Sequence, residues 1–193
     1  QVVRNGHPDI VYDRIAAAVH PGMTMVVNAN DPISGDLAPK NERVYYGLEK
    51  TGQSKEECVN ITHDAKVCPR CFGRMGYEWH HYNHIGRFSC PKCGYHNPEV
   101  KYDAHEIDLS TGDFSVNGCE VHTDYKDLFN ILNTTAAIAA CCELGLPLEK
   151  CCEAASSFVV LKQRYDEFKV GDRKAVMILS KNQNPVSFDQ SIS

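Results

Sequence analysis

Residues 23–32 read MTMVVNANDP, and this stretch decides the fold class. The apolar run at 23–27 is short and partly β-branched. It follows Gly22 and precedes a polar, turn-forming segment. Such a run is typical of a buried strand in a parallel sheet. Because open α/β sheets bind ligands at the carboxyl ends of their strands, residues 28–32 mark a candidate binding edge.

Helix and strand signals alternate on both sides of this strand. Residues 9–19 carry an apolar stripe at helical spacing, and the breakers that follow predict a helix ending at about His20. Further elements are predicted as a strand at 43–48, strands at 102–109 and 114–121 around a hairpin turn, helices at 127–143 and from Pro147 to about Ser157, and a hairpin of 165–170 with 174–179. This order predicts an α/β fold with a module spliced into it.

The composition indicates one sizeable domain, or one and a fraction. The 193 residues, 42% of them hydrophobic, can bury a real core, which excludes a mini-protein that folds only on metal or disulfides. The net charge of −5 excludes the basic surface of a dedicated nucleic-acid binder. No apolar run approaches the roughly 18 residues of a membrane span, and no signal pattern opens the chain. We expect a soluble, cytoplasmic protein and, because Gln1 is not an initiator methionine, a segment of a longer chain.

Two C-x2-C motifs carry the strongest chemical signal. Cys68 and Cys71 form the first and Cys90 and Cys93 the second, about 18 residues apart. Each motif presents two thiolates from one tight turn, so together they predict a tetrahedral four-sulfur site. Four soft ligands leave no position for water or substrate, which favours one structural zinc ion, with iron of the rubredoxin type as an alternative. The insert at about 64–99 that carries these motifs is called the ribbon below.

The other cysteines and the histidines near the ribbon have simpler interpretations. Cysteines in Ala-rich helices act as small buried hydrophobes, and those concerned are Cys141, Cys142, Cys151 and Cys152. Cys58 and Cys119 fit no pattern. Four histidines in or beside the ribbon are expected to pack or face solvent, since four thiolates already fill the metal shell: His80, His81, His84 and His96.

The ribbon is also locally basic and aromatic. Residues 66–98 hold five Lys or Arg side chains against one glutamate, an excess of 5 − 1 = +4. Aromatic residues are interleaved with them, among them Tyr77, Trp79, Tyr82, Phe88 and Tyr95. This pattern is typical of nucleic-acid ribbons. A zinc-ribbon module on an α/β scaffold that binds nucleic acid or protein is therefore the alternative function.

Three motifs in order resemble those of the Mur ligase family. Residues 28–32 (NANDP) resemble the family's N-A-D-D-P nucleotide motif. Residues 129–139 (FNILNTTAAIA) resemble its Y-N-x-x-N-A-x-A-A helix, and residues 163–168 (QRYDEF) resemble G-R-x-E-x-F at the junction of its central and C-terminal domains. A four-cysteine ribbon between the first two motifs marks the MurT branch, the ligase-like subunits of lipid II isoglutaminyl synthase.

The resemblance implies a fold, a domain division and a reaction. Residues 1–160 would form part of the central ATP-binding domain, with a sheet of the P-loop NTPase type and the ribbon as a zinc-binding insert. Residues 161–193 would begin the C-terminal domain. In this family the γ-phosphate of ATP activates the α-carboxylate of D-Glu in the lipid II stem peptide. Ammonia from a GatD-type glutaminase partner then forms the amide, a step of peptidoglycan biosynthesis in the cell wall.

The resemblance also implies nucleotide-binding roles for individual residues. Asn28, Asp31, Asn130 and Asn133 would lie near the adenine or ribose, and Arg164 near the phosphates. Amides and carboxylates can bond to adenine edges and ribose hydroxyls, and a guanidinium forks onto phosphate oxygens.

The sequence departs from the family pattern in several places. Asn30, Gln163 and Thr134 replace an acidic residue, a glycine and an alanine of the motifs, and residues 181–185 (KNQNP) are longer than K-N-P. No G-x-x-x-x-G-K-[ST] occurs in the 193 residues, so the phosphate loop and the hydroxyl that binds magnesium are expected upstream of Gln1. The family's catalytic aspartate is expected beyond Ser193. We therefore expect the segment alone to be inactive.

Overall fold

The structure is a computed structural model that describes residues 8–60, 63–124, 126–158 and 165–178. Three α-helices, nine strands and one short 3-10 helix occur in this part of the chain. In chain order they are α1 (Pro8–Ala18), β1 (Met25–Asn28), the 3-10 helix (Ser34–Asp36), β2 (Arg43–Leu48), β3 (Gly76–Tyr82), β4 (Ile85–Ser89), β5 (Tyr102–Asp108), β6 (Asp113–Val116), β7 (Cys119–His122), α2 (Leu128–Glu143), α3 (Leu148–Ser157), β8 (Tyr165–Val170) and β9 (Arg173–Ile178).

The main sheet has five strands in the order β1-β2-β5-β6-β7. Strands β1, β2 and β5 run parallel, and β6 and β7 extend the sheet as antiparallel strands. This confirms a mixed α/β fold with a partly parallel sheet. Helix α2 packs on the parallel strands and α3 packs against α2 and β7. A separate hairpin of β3 and β4 lies in the ribbon, and β8 pairs with β9.

Two predicted elements differ from the structure. The single strand expected at 114–121 is divided into β6 and β7, because Asn117 and Gly118 both adopt positive φ angles (+50° and +83°) and turn the chain. Strand β1 begins at Met25 instead of residue 23, since the amide of Met23 closes a turn on the carbonyl of His20. The other predicted helices and strands occur within one or two residues of their expected bounds; residue 179 lies outside the described residues.

The ribbon occupies the connection between two neighbouring strands. Strands β2 and β5 are adjacent and parallel, and residues 49–101 join them. Parallel neighbours need a crossover, which is usually a helix. Here the crossover carries the β3–β4 hairpin and both C-x2-C motifs. Among the described residues, no helix combines the length and the apolar character that crossing a membrane requires.

Candidate metal centre and strand-end site

The four predicted cysteines converge on one point. The Sγ atoms of Cys68 and Cys93 lie 3.7 Å apart, those of Cys71 and Cys90 lie 3.5 Å apart, and all four lie within 4.8 Å of one another. A Zn–S distance of about 2.3 Å in a tetrahedron gives sulfur separations of about 3.8 Å. The cluster could therefore hold a metal ion of the size that the sequence predicts.

The two cysteine motifs form matching turns. In the first, the amide of Phe72 donates to the carbonyl of Cys68 at 3.0 Å, and in the second the amide of Gly94 donates to the carbonyl of Cys90 at 2.9 Å. Both donors adopt left-handed φ angles, +56° for Phe72 and +74° for Gly94. The glycine was visible as a turn signal, whereas Phe72 takes the same conformation with a side chain and exposes its ring to solvent.

The turns prepare one thiol for metal binding. Burial would raise the pKa of Cys90, but the amides of Cys93 and Lys92 and the neighbouring thiols lower it to about 6. Burial raises the pKa of Cys68. Because only the thiolate binds metal, the lowered pKa of Cys90 favours metal binding at this sulfur.

The loop after β1 is shaped by its own polar side chains. The carbonyl oxygen Oδ1 of Asn28 accepts a hydrogen bond from the amide of Asn30 at 2.9 Å. The buried side chain of Asn30 bonds to both backbone groups of Leu48, accepting at 2.8 Å and donating at 3.3 Å. Asn30 therefore ties the end of β1 to the end of β2, a role that the family's acidic residue at this position could only partly fill, since a carboxylate donates no hydrogen bond.

Asp31 holds the next turn. Its carboxylate accepts bonds from the amides of Ile33 (2.8 Å) and Ser34 (3.2 Å) and from the Ser34 hydroxyl (2.5 Å). The Nε2 atom of His84, at the tip of the ribbon hairpin, lies 3.2 Å from Asp31 Oδ1. Burial would raise the pKa of Asp31, but His84, Ser34 and Ile33 outweigh it and hold the pKa below its usual range. Asp31 is thus ionised and bound within the chain.

Ribbon residues form hydrogen bonds with the backbone of this loop. The amide of Gly86 donates to the carbonyl of Asn30 at 2.9 Å, and the Tyr95 hydroxyl donates to the carbonyl of Pro32 at 2.8 Å. The Nδ2 atom of Asn97 lies 2.9 Å from the carbonyls of Ala29 and Gly86. Three carbonyl groups of the loop, those of Ala29, Asn30 and Pro32, are therefore bound by ribbon residues that lie 56 or more positions away in the sequence.

A cation completes this contact. Arg70, in the first cysteine motif, lies over the Tyr95 ring at 3.7 Å from its centroid and bonds to Asp36 of the 3-10 helix at 2.9 Å. Gly35 makes the approach possible, because a Cβ there would stand 2.5 Å from the Tyr95 hydroxyl. The ribbon is therefore closely packed against residues 29–36. This boundary, formed on the ribbon side by Arg70, Gly86, Tyr95 and Asn97, is called the seam below.

The first turns of α2 lie at the same edge of the sheet. Glu143, the last residue of α2, bonds to Lys101 (2.6 Å) and Tyr102 (2.7 Å) at the start of β5. The helix thus runs antiparallel to the parallel strands, and Asn130 and Asn133 lie towards their carboxyl ends. Asn130 is half-buried and Asn133 exposed, and within the described residues neither bonds to Asn28 or Asp31. Arg164 lies outside the described residues.

Sequence reasoning missed a second cluster. Cys58, His63 and His80 each offer one ligand atom, and these atoms lie within 4.8 Å of one another. Their spacing of five and seventeen residues matches no zinc motif, and only the fold brings them together. His80 and His81 are buried, as the packing interpretation expects.

The aromatic and remaining cysteine side chains are mostly internal. Trp79, Phe88 and Tyr95 are buried, so these three rings are not available to stack on bases, whereas the Phe72 ring is exposed. Cys151 and Cys152 are buried and pack in the sheet core. Burial raises the pKa of Cys142 to about 11 and of Cys152 to about 12, so these groups remain neutral thiols.

Comparison with known proteins finds curated relatives that share one name. No family model matches the chain. The curated protein named lipid II isoglutaminyl synthase (glutamine-hydrolyzing) subunit MurT of Staphylococcus aureus (strain COL) is 27% identical over 196 residues, which covers 100% of this chain and 44% of that protein. The protein of the same name from Streptococcus pneumoniae (strain ATCC BAA-255 / R6) is 25% identical over 197 residues, covering 100% and 43%.

A solved structure agrees at the level of the fold. A pseudomurein peptide ligase type C from Methanothermus fervidus matches with a TM-score of 0.70 and 23% identity, over 86% of this chain and 33% of that one. The resemblance to MurT that the motifs indicated is confirmed by the curated relatives. The chain spans less than half the length of those relatives.

Proposed function

We propose that this chain is a segment of an ATP-dependent ligase subunit of the MurT type, acting in the cytoplasm in peptidoglycan biosynthesis. The parent protein would activate the α-carboxylate of D-Glu in the lipid II stem peptide for amidation, with ammonia from a GatD-type glutaminase subunit. The observation that carries the proposal is the match of the whole chain to two MurT subunits.

The site geometry supports nucleotide binding at the carboxyl edge of the parallel strands. The loop at 28–32 follows β1 at this edge, and the first turns of α2 lie towards the same edge, which is where open α/β sheets bind ligands. In this proposal Asn28, Asn130 and Asn133 bond to the adenine or ribose of ATP. Asp31 acts mainly by holding the loop, since groups of this chain already occupy its carboxylate.

Further parts of the proposal concern the domains. Residues 1–160 would belong to the central ATP-binding domain, with a P-loop-type sheet, and residues 161–193 to the C-terminal domain. Arg164 follows the domain boundary by a few residues in the sequence and would bind the ATP phosphates when the domains close. The phosphate loop and the hydroxyl that binds Mg²⁺ would be supplied by the rest of the parent protein, because the 193 residues contain no such motif.

The four cysteines would hold one structural Zn²⁺ ion. Four thiolates suit zinc and leave it no open position, so the ion would take no part in the reaction. Its effect would be mechanical. With the ion bound, the four cysteines would fix the two turns that carry Arg70, which bonds to Asp36, and Tyr95, which bonds to Pro32, so the ribbon would keep the nucleotide edge in one conformation.

The test is lipid II amidation by the full-length protein with its glutaminase partner at saturating ATP. We expect Arg164→Lys to lower kcat at least tenfold and to change the KM for ATP less, because the fork that binds the phosphates on closure is lost while the charge remains. Arg173→Lys, an exposed arginine in β9, is the matched control and should act like the wild type.

Two results would contradict the proposal. Absence of ATP-dependent amidation with the partner present would reject the function, whereas full activity of Arg164→Lys would reject only the role of that residue.

The 193-residue chain alone should bind MgATP more weakly than micromolar, because the phosphate loop is the largest electrostatic contact of the nucleotide. Isothermal titration measures this directly.

A further inference from the structure

Three side chains outside the four-cysteine cluster form a second group of metal donors. Cys58 and His63 belong to the segment that precedes the ribbon turns, and His80 lies in strand β3. Their ligand atoms lie within 4.8 Å of one another. We propose that Cys58, His63 and His80 form a second zinc site, separate from the four-cysteine cluster and independent of the proposed function.

His80 is oriented like a metal ligand. Its Nδ1 atom donates to the carbonyl of Asn83 at 2.8 Å, which leaves the lone pair of Nε2 free to bind an ion. Metal-binding histidines almost always carry such a bond on their second nitrogen, because it fixes the tautomer and the ring orientation. The Tyr77 ring stacks on His80 with centroids 4.1 Å apart, so the imidazole is also held from the side.

His63 brings a nitrogen that needs a partner. Its Nε2 atom is buried and has no hydrogen-bond partner among the described residues. Its ring meets the His80 ring edge-on, with centroids 5.1 Å apart. A buried polar atom without a partner is destabilising, and a metal ion between the two rings would supply what is missing.

Asn83 fixes the segment around this cluster. This residue is buried at the tip of the β3–β4 hairpin, with a φ angle of +45°. Its amide donates to Asn60 Oδ1 at 2.6 Å, its Oδ1 accepts from the amide of Asp64 at 2.9 Å, and its Nδ2 donates to Asp64 Oδ2 at 2.6 Å. The chain on both sides of His63 is therefore tied to the residue whose carbonyl orients His80.

A backbone pairing positions Cys58. The amide of Lys55 donates to the carbonyl of His80 at 2.8 Å, and the amide of His80 donates back at 2.6 Å. Cys58 follows this pair by three residues, so its thiol is presented beside His80 by the main chain. The donors are thus held by hydrogen bonds of the chain itself.

The donor set favours zinc over other metals. One thiolate and two imidazoles are borderline-soft ligands of the kind that bind Zn²⁺ in tetrahedral geometry, whereas Mg²⁺ and Ca²⁺ require oxygen ligands. Three protein ligands leave the fourth position to water. We expect this site to bind zinc more weakly than the four-cysteine cluster, since it offers three donors instead of four.

The test is the zinc content of the chain, stripped of metal under reducing conditions, reloaded with excess Zn²⁺ and freed of unbound ion by gel filtration. We expect two equivalents for the wild type and one each for Cys58→Ser and His63→Gln. Two matched controls should keep two equivalents: Cys141→Ser, a half-buried cysteine in α2, and His105→Gln, a half-buried histidine in β5.

Hydrogen exchange separates loss of the site from loss of the fold. In His63→Gln the amides of Asp64 and Asn83 should exchange faster than in the wild type, while those of Phe72 and Gly94 in the cysteine turns stay protected by the first ion. One equivalent in the wild type at saturating zinc would overturn the inference. Two equivalents retained by both Cys58→Ser and His63→Gln would overturn it as well.

Discussion

The sheet core and the ribbon core are built from different side chains. Among the described residues, fifteen buried ones form the sheet core, and the fully buried ones include Ile131, Ile138 and Val116. In the part of the chain that the structure describes, the ribbon core has five buried residues, of which Cys68 and Cys90 are candidate metal ligands. Burial of apolar surface can stabilise the first core without help, whereas the second is too small for that. The ribbon core, which apolar burial alone cannot stabilise, therefore belongs to the module that contacts the candidate nucleotide loop at 28–32.

The ribbon hairpin reaches the sheet core. Ile85, at the tip of the ribbon hairpin, is buried in the sheet core, and Tyr82 packs against it. The other end of the hairpin faces the cysteine cluster. Loss of the metal should therefore disturb the structure of the loop at 29–32 and leave the sheet folded. Substitutions in the two cores and at the seam test this limit.

The largest effect is expected from Cys90→Ser. Binding of a structural zinc ion contributes on the order of 10 kcal/mol, so losing one of four ligands should unfold the ribbon turns. The far-ultraviolet signal of α2 and α3 should remain, while the amides of Cys68, Phe72 and Gly86 lose protection from hydrogen exchange. Cys119→Ser, a half-buried cysteine in β7, serves as control and should leave metal content unchanged. Loss of the helical signal would show that the two cores fold as one.

Next in size is Ile131→Ala in the sheet core. Removing a fully buried isoleucine should lower the free energy of unfolding by about 3 kcal/mol and leave the metal content unchanged. The matched control is Leu144→Ala, since Leu144 is 84% exposed and its loss should cost less than about 0.5 kcal/mol. Urea unfolding with the ion bound gives both values. Release of metal from Ile131→Ala before global unfolding would mean that the ribbon depends on the sheet core.

A smaller effect is expected at the seam from Asn97→Ala. The change removes two bonds to the carbonyls of Ala29 and Gly86 and leaves the amide of Phe88 without its acceptor, at a cost of about 2 kcal/mol. Asn41→Ala also removes two bonds to carbonyls, but at an exposed site outside the seam. Faster exchange at Gly86 in Asn97→Ala alone would confirm the seam. Equal exchange in both variants would show that the ribbon holds the loop without Asn97.

The smallest effect belongs to Arg70→Ala. Its ion pair with Asp36 and its contact with the Tyr95 ring are half-exposed and together contribute about 1 kcal/mol, and added salt should reduce the difference. Arg87→Ala removes an exposed pair with Glu78 at 4.0 Å and should have no measurable effect. Thermal unfolding at low and high salt checks both. A difference that does not depend on salt would assign the contribution of Arg70 to packing alone.

Local sequence determined most of the fold. The helices at Leu128–Glu143 and Leu148–Ser157 and the strand at Arg43–Leu48 follow from periodicity and breakers, and the structure places them at or within one residue of the expected bounds. The turn at Asn117 was not predicted, because the sequence does not reveal that this asparagine adopts a positive φ angle. In the sequence it looks like any polar residue within a strand. The sequence could not show that β6 and β7 would turn there.

The candidate site was predictable only where short spacings in the sequence indicate it. The cysteine turns are local, so their spacing predicted the cluster. Cys58 and His63 meet His80 only through the pairing of Lys55 with β3 and the bonds of Asn83, which no spacing reveals. The contacts of Asn97 and Tyr95 with the loop at 29–32 span more than sixty positions and were equally hidden.

The position of the ribbon between adjacent strands also affects how the protein folds. Strands β2 and β5 can pair only after the chain at 49–101 has closed into a loop. A metal ion that joins Cys68 to Cys93 shortens that loop by roughly half, which lowers the entropic cost of closing it by ~0.6 kcal/mol. If the ion binds before the strands pair, the sheet should assemble about threefold faster. Metal supply would then influence the rate at which the protein matures, even where the stability of the finished sheet does not depend on it.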